Sequence, residues 1–356
     1  MTNKPQHRTE FIGYLHSFRG FAIIMIVMIH AVGAAFYGAY DTYDESHPII
    51  IINEVLFHDS TLYFALISGL LYTKILASRG LLNFYRSKLK FILLPYLFFT
   101  LVFTAFKIES DEGLWILSYF YEVFINLIYG KASFVLWYIP VLFFLYAVTP
   151  VLDYLLKTNT ITRFIFLLVI LLPLVVSRIQ MAQDYILEFE TMLYFTGAYA
   201  LGMFIGTYLD ETMHWVKQNR LLLWTCTLMT SALLFYIYMA QIDLLGFISL
   251  KESLFYIQKL GLAVLVIFGF KQLNEKHPKW LNGIANDSFS IYFMHGFLVY
   301  ALLPLLRPLL KWDETKPLMV MLGSFVLLIG AIVISWMVVK LFQHVFGKYS
   351  RMIVGG

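Results

Sequence analysis

The amino-acid sequence predicts an all-α protein that crosses a membrane many times. Three observations carry this. Of the 356 residues, 60% are hydrophobic and only 13% are charged, about half the charged share of a soluble domain. Mean hydropathy is +0.75, and the shortage of charge runs along the whole chain. The apolar residues also gather into stretches of about 20, the length at which a helix spans a bilayer core. With no long polar insertion between them, the stretches form one membrane domain over residues 1–356. The formal charge of +4 is too small to point to nucleic acid. A single cysteine, Cys226, excludes an internal disulfide and any multi-cysteine metal site.

Ten spans follow in chain order: 16–37, 55–77, 91–107, 134–153, 162–177, 191–209, 221–240, 253–270, 284–305 and 317–343. The first is longer than the apolar core of a signal peptide and lacks a small-residue cleavage site, so it is expected to stay in the membrane. The stretch 114–129 is apolar and aromatic but short, and Glu122 and Asn126 interrupt it. It reads as a re-entrant or interfacial helix. With ten spans, 17 Lys and Arg fall on one side and 8 on the other, leaving Arg19 aside. Lys74, Arg79, Arg86, Lys88 and Lys90 belong to the richer side, and Lys251 and Lys259 to the poorer. The positive-inside rule then puts both termini in the cytoplasm.

Ionisable groups inside apolar spans are costly and therefore mark function. Arg19 and His30 lie in the first span, eleven residues apart. Eleven helical steps return to nearly the same face about 16 Å further on. Packing and snorkelling compete as explanations, but a small-residue stretch, Ala31 to Ala35, follows His30 and permits close approach. Arg19 has the fork that grips phosphate, and His30 has a base matched to neutral pH. Arg86 and Lys88, in the first cytoplasmic loop, serve either topology or the docking of a phosphorylated cosubstrate. Ser68–Gly69 reads as a packing site, Trp137–Tyr138 as a pair in an aromatic belt, and Tyr292 and His295 share a helical face. Sugar stacking is an alternative for the outer aromatics, among them Trp115, Tyr119, Phe120 and Tyr121.

Taken in order, these strings resemble the membrane acyltransferase-3 family of bacterial O-acyltransferases. Arg19-x10-His30 matches the family's first-span hallmark, and Ser68-Gly69 its second-span pair. Leu136-Trp137-Tyr138, Thr149-Pro150 and Ser290-Ile-Tyr292-Phe-Met-His295 are similar to three further strings. The chain departs from the family where His16 replaces an Asp, where Val135 replaces a His, and where Ser60-Thr61 precede the Ser-Gly string without a Pro. The basic pair is matched only in part, by Arg86 and Lys88.

The resemblance implies transfer of an acyl group, usually acetyl from acetyl-CoA, across the membrane to a hydroxyl of a glycan or lipid-linked sugar. Acyl-CoA is then a cosubstrate, with no metal and no tightly bound cofactor. Arg19, Arg86, Lys88 and Ser68 would hold the CoA, and His30 would act as general base beside Arg19. Trp137, Tyr138, Tyr292 and His295 would line the acceptor site. An imidazole in an apolar span needs an acid or hydroxyl to orient it, and Glu54, Asp59 and Glu122 are the candidates. The competing readings are a transporter or flippase, and a non-catalytic export subunit. The matched broken helices of a transporter are not evident in the sequence.

Overall fold

A computed structural model describes residues 6–107, 115–176, 178, 187–242, 248–273, 278–311 and 316–356, with the side chains of 6–12 and Trp115 left aside. The described residues are overwhelmingly helical, and each of the ten expected spans corresponds to a helix. Eight helical stretches are long and apolar enough to cross a membrane. The remaining two differ for separate reasons. The stretch expected over 162–177 ends early: helix α8 covers only Thr160–Leu171, and a single 3-10 turn carries it to Leu174. Helix α9 (Phe189–Thr207) is long enough, but three glycines, two tyrosines and Glu190 dilute its hydropathy. Glu190 is exposed, but the glycines and tyrosines face inward, and most of α9 is buried.

Helix α1 (Gln6–Tyr40) runs through the centre. It packs against α2 (Pro48–Phe57), α3 (Thr61–Leu71), α11 (Leu250–Gln272), α12 (Lys279–Asn286), α13 (Ser288–Leu310) and α14 (Lys316–Phe346). Around them stand α4 (Leu81–Lys88), α5 (Leu94–Ala105), α6 (Trp115–Tyr129), α7 (Tyr138–Lys157) and α10 (Leu209–Ala240). A short α15 (Ser350–Ile353) returns against α5 and α14. Exposed apolar residues such as Leu221, Leu228, Leu305, Ile329 and Met337 cover the outer helices, as lipid contact requires. Helix α6, only 15 residues, is too short to span, in keeping with the interfacial or re-entrant expectation for 114–129.

Three local devices position the site. First, α3 and α9 cross at backbone contact. A methyl group at Gly69 would strike the Tyr199 carbonyl, and one at Gly202 the Leu66 carbonyl. Small residues are what such close crossings demand, which accounts for the glycine of the Ser68–Gly69 string. Second, Pro150 inside α7 cannot donate to the carbonyl four residues back, and the freed Tyr146 oxygen accepts from Tyr85 Oη at 3.0 Å. That bond ties α4 to α7. Third, Gly20 lets α12 press on α1, since any side chain there would meet the Leu281 carbonyl. Ser17 Oγ donates to Asn282 Oδ1 at 3.0 Å, and a His16 ring nitrogen donates to Asn286 Oδ1 at 2.9 Å. His16, one of the departures from the family pattern, thus has a structural task.

Candidate active site

A cavity of about 360 Å³ opens beside the second half of α1. His30, Trp137, Tyr292 and His295 line it together, although they come from three parts of the chain. The His30 and His295 rings lie 5.2 Å apart, centroid to centroid, and Phe134 meets His30 edge-on at 5.0 Å. His295 is fully buried, and its Nδ1 lies 2.8 Å from the Tyr292 carbonyl and 3.2 Å from that of Ile291. A carbonyl oxygen only accepts, so Nδ1 carries the proton and Nε2 presents its lone pair. That Nε2 is buried without a hydrogen-bond partner. Tyr292 Oη donates to the Val135 carbonyl, fixing α13 against the segment that carries Trp137.

Tyr138 stands apart from the cavity wall. It is buried, packed on Phe195 at 5.3 Å and on Tyr292 at 6.2 Å. Trp137 is half-buried, with its ring against Phe195 at 5.5 Å. The pair is therefore not an interfacial belt. Burial here comes from α9 and α13 closing over Trp137–Tyr138, which hydropathy cannot foresee.

The acids expected to serve His30 have other partners. Glu122 is exposed on α6. Glu54 and Asp59 do line the cavity, but Glu54 Oε2 pairs with His58 Nδ1 at 2.7 Å. Asp59 Oδ2 accepts from Arg178 Nη2 at 2.8 Å and from Tyr194 Oη at 2.9 Å. Arg178 also donates through Nε to Glu252 Oε1 at 3.1 Å and through its backbone N–H to Glu252 Oε2 at 2.7 Å. Its guanidinium stacks 3.9 Å above the Tyr194 ring. Flanked by two carboxylates in a desolvated setting, Arg178 holds its proton even more firmly than usual. His58, Arg178 and Glu252 thus join the site although the sequence reading did not select them. The Glu54–His58 spacing of four residues was a visible signal; Arg178 and Glu252 are remote in sequence and gave none.

The cavity also explains a broken helix. Between α2 and α3 the chain turns at His58–Ser60, with Asp59 in the left-handed region at φ 55°. Asp tolerates that region better than most residues. The break strips the last carbonyls of α2 of helical partners. Lys259 Nζ donates to the Leu56 carbonyl at 2.7 Å and Gln258 Nε2 to that of Val55 at 3.0 Å. The negative end of a helix dipole favours such a cation. Lys259 was expected among the outer-side charges. It sits fully buried within α11, against these carbonyls.

Towards the start of α1 the chemistry changes. Arg19 is half-buried, its guanidinium 4.9 Å above the Phe289 ring. Lys88 Nζ lies 4.6 Å above Tyr146 and 5.3 Å from Phe84. Ser68 adjoins the Tyr146 hydroxyl, so Arg19, Lys88, Tyr146 and Ser68 form one group. Arg86 is exposed, and no contact brings it to them. Two helical residues apart point about 200° from each other, so Arg86 and Lys88 cannot both face inward. No group of three or more His, Cys, Asp or Glu among the described residues has the arrangement of a metal site.

A family model described as an acyltransferase domain matches residues 12–340. No curated protein and no solved structure matches the chain.

Proposed function

The chain belongs to this acyltransferase family, and from that premise we propose that it carries an acyl group, most simply acetyl, from acyl-CoA to a hydroxyl of a surface or lipid-linked glycan. The observation that carries the reading is the pairing on α1 of His30, at a cavity, with Arg19, among unpaired cations. The distribution of Lys and Arg supports an inner-membrane location with the Arg19 end towards the cytoplasm. CoA is a nucleotide polyanion on a long pantetheine arm. Its phosphates belong with Arg19 and Lys88, and the arm reaches along α1 by roughly 16 Å to place the thioester near His30.

In this reading His30 is the general base. As the acceptor oxygen adds to the thioester carbonyl, His30 takes the hydroxyl proton. Collapse of the adduct breaks the carbon–sulfur bond, and the same proton passes to the departing sulfur. The products are an ester and free CoA. His295 supports the geometry: it lines the same cavity, its ring lies 5.2 Å from that of His30, and its unpartnered Nε2 would accept a hydrogen bond from the hydroxyl or from His30. Trp137 offers a flat face for a sugar ring, and Glu54 offers an acceptor for further hydroxyls.

Purified protein given acetyl-CoA and a surface-glycan acceptor is expected to release free CoA. His30→Ala should lower the rate by about a thousandfold, within the range for loss of a general base, with an unchanged melting temperature. Undiminished release from His30→Ala would remove His30 from the chemistry. Failure of the wild-type protein to bind acyl-CoA would remove the reading itself.

A further inference from the structure

The segment after α14 folds back onto the group around Arg19. Ser290 Oγ donates to the Val354 carbonyl at 2.6 Å. A Cβ at Gly355 would stand 3.4 Å from both Phe289 and Phe293, and Gly355 itself turns at φ 85°. Phe289 is the ring on which Arg19 rests. The same segment carries Arg351, whose guanidinium lies 4.7 Å from the Phe91 ring, in the π-helical turn Leu89–Leu93 that follows Lys88. Arg351 is within electrostatic reach of both Arg19 and Lys88.

Arg19, Lys88 and Arg351 share one further property. Each rests on an aromatic ring, and among the described residues none has a hydrogen bond or ion pair to a carboxylate. The facing groups from the packed elements are few. Asp287 acts on Arg19 but is also balanced by Lys340, and His16 is within electrostatic reach of Arg19. Among the described residues these three converging cations face about one side-chain carboxylate, and they repel each other unless an anion joins them. Aromatic faces hold the cations in place while leaving their N–H donors free.

We propose that Arg351 is a third phosphate-binding residue for acyl-CoA, brought to the site by the folded-back segment 350–356 and acting with Arg19 and Lys88. This rests on the acyl-CoA reading above. Arg351 is exposed whereas Arg19 is half-buried. Arg351 therefore meets the outermost phosphates of the nucleotide, and Arg19 those nearer the pantetheine arm.

The test compares acetyl-CoA with acetyl-pantetheine, which lacks every phosphate. Arg351→Gln should raise KM for acetyl-CoA about tenfold, the size of one charge-assisted hydrogen bond, with kcat within twofold. Arg351→Lys should recover much of that loss. Turnover of acetyl-pantetheine should be the same in wild type and Arg351→Gln. An unchanged KM for acetyl-CoA would overturn the proposal, as would an equal loss with acetyl-pantetheine, which would mean a structural effect. Direct binding of CoA by calorimetry separates the two levels. Binding by wild type that Arg351→Gln fully retains overturns this inference alone, whereas no binding by wild type overturns the acyl-CoA reading and this inference with it.

Discussion

The two ends of the path along α1 solve the problem of buried charge in opposite ways. At the His30 cavity, charges answer each other: Arg178 lies between Asp59 and Glu252, and His58 lies on Glu54. At the Arg19 end, three cations rest on aromatic rings, and among the described residues none is paired with a carboxylate. The first arrangement is complete in itself and so holds shape. In the proposed reading the second is completed by the CoA phosphates, and so serves affinity. A buried pair is costly to break because the remaining charge stays in low dielectric, whereas removing one of several like charges relieves repulsion. That contrast is a reason to place positioning at the cavity and anchoring at the cations.

The largest effect should come from breaking the paired end. Arg178→Met leaves Asp59 and Glu252 buried without their cation, at a cost of about 3–5 kcal/mol. A lowered melting temperature in detergent would register it. The matching change at the other end, Arg19→Gln, should leave melting nearly unchanged while weakening acyl-CoA binding tenfold or more. Equal destabilisation by the two variants would erase the distinction between the ends.

Lys259→Met sharpens the comparison at intermediate size. It removes the donor from the Leu56 carbonyl at the break between α2 and α3, at about 1–3 kcal/mol. Because that break carries His58 and Asp59, loss of turnover should accompany the loss of stability. A variant that melts early yet keeps full activity would separate the break from the site.

The smallest effect belongs to an exposed pair. Asp41 accepts from Arg307 and, at 2.6 Å, from Lys311, and these hydrogen bonds hold its pKa below the ordinary aspartate value. A depressed folded-state pKa contributes stability that is complete above the unfolded value of about 4 and is lost as pH falls through the folded value. Asp41→Asn should therefore melt slightly earlier than wild type at neutral pH. The gap should close in acid below pH of about 4 and shrink in high salt, as solvent-exposed pairs do. A gap that widens in acid would reverse the sign of this linkage.

Much of the candidate site was legible in the order of residues. Arg19 and His30 share a face because both lie on one uninterrupted helix, where spacing alone sets direction. Tyr292 and His295 were legible for the same reason. Arg86 lies exposed on α4 while Lys88 turns towards Tyr146, because a loop charge gives no sign of the face it will take once its loop becomes a helix. Arg351 counts in the sequence only as one of the 17 charges on the richer side, since nothing local shows that segment 350–356 turns back. The glycine of Ser68–Gly69 was read as packing, and its contact with the Tyr199 carbonyl bears that out. The partner of that contact, however, is some 130 residues away.

The sequence by itself determined the membrane-spanning helical class, the family and the alignment of Arg19 with His30. Each rests on composition or on spacing within one helix, and both are local quantities. The tertiary structure alone decided that Glu54 and Asp59 serve His58 and Arg178 rather than His30. It alone placed Lys259 at a broken helix and left Nε2 of His295 buried without a hydrogen-bond partner. Those outcomes depend on which buried charges and carbonyls meet across helices. In a low-dielectric interior every such group must find a partner, and only the packed fold determines which one is near.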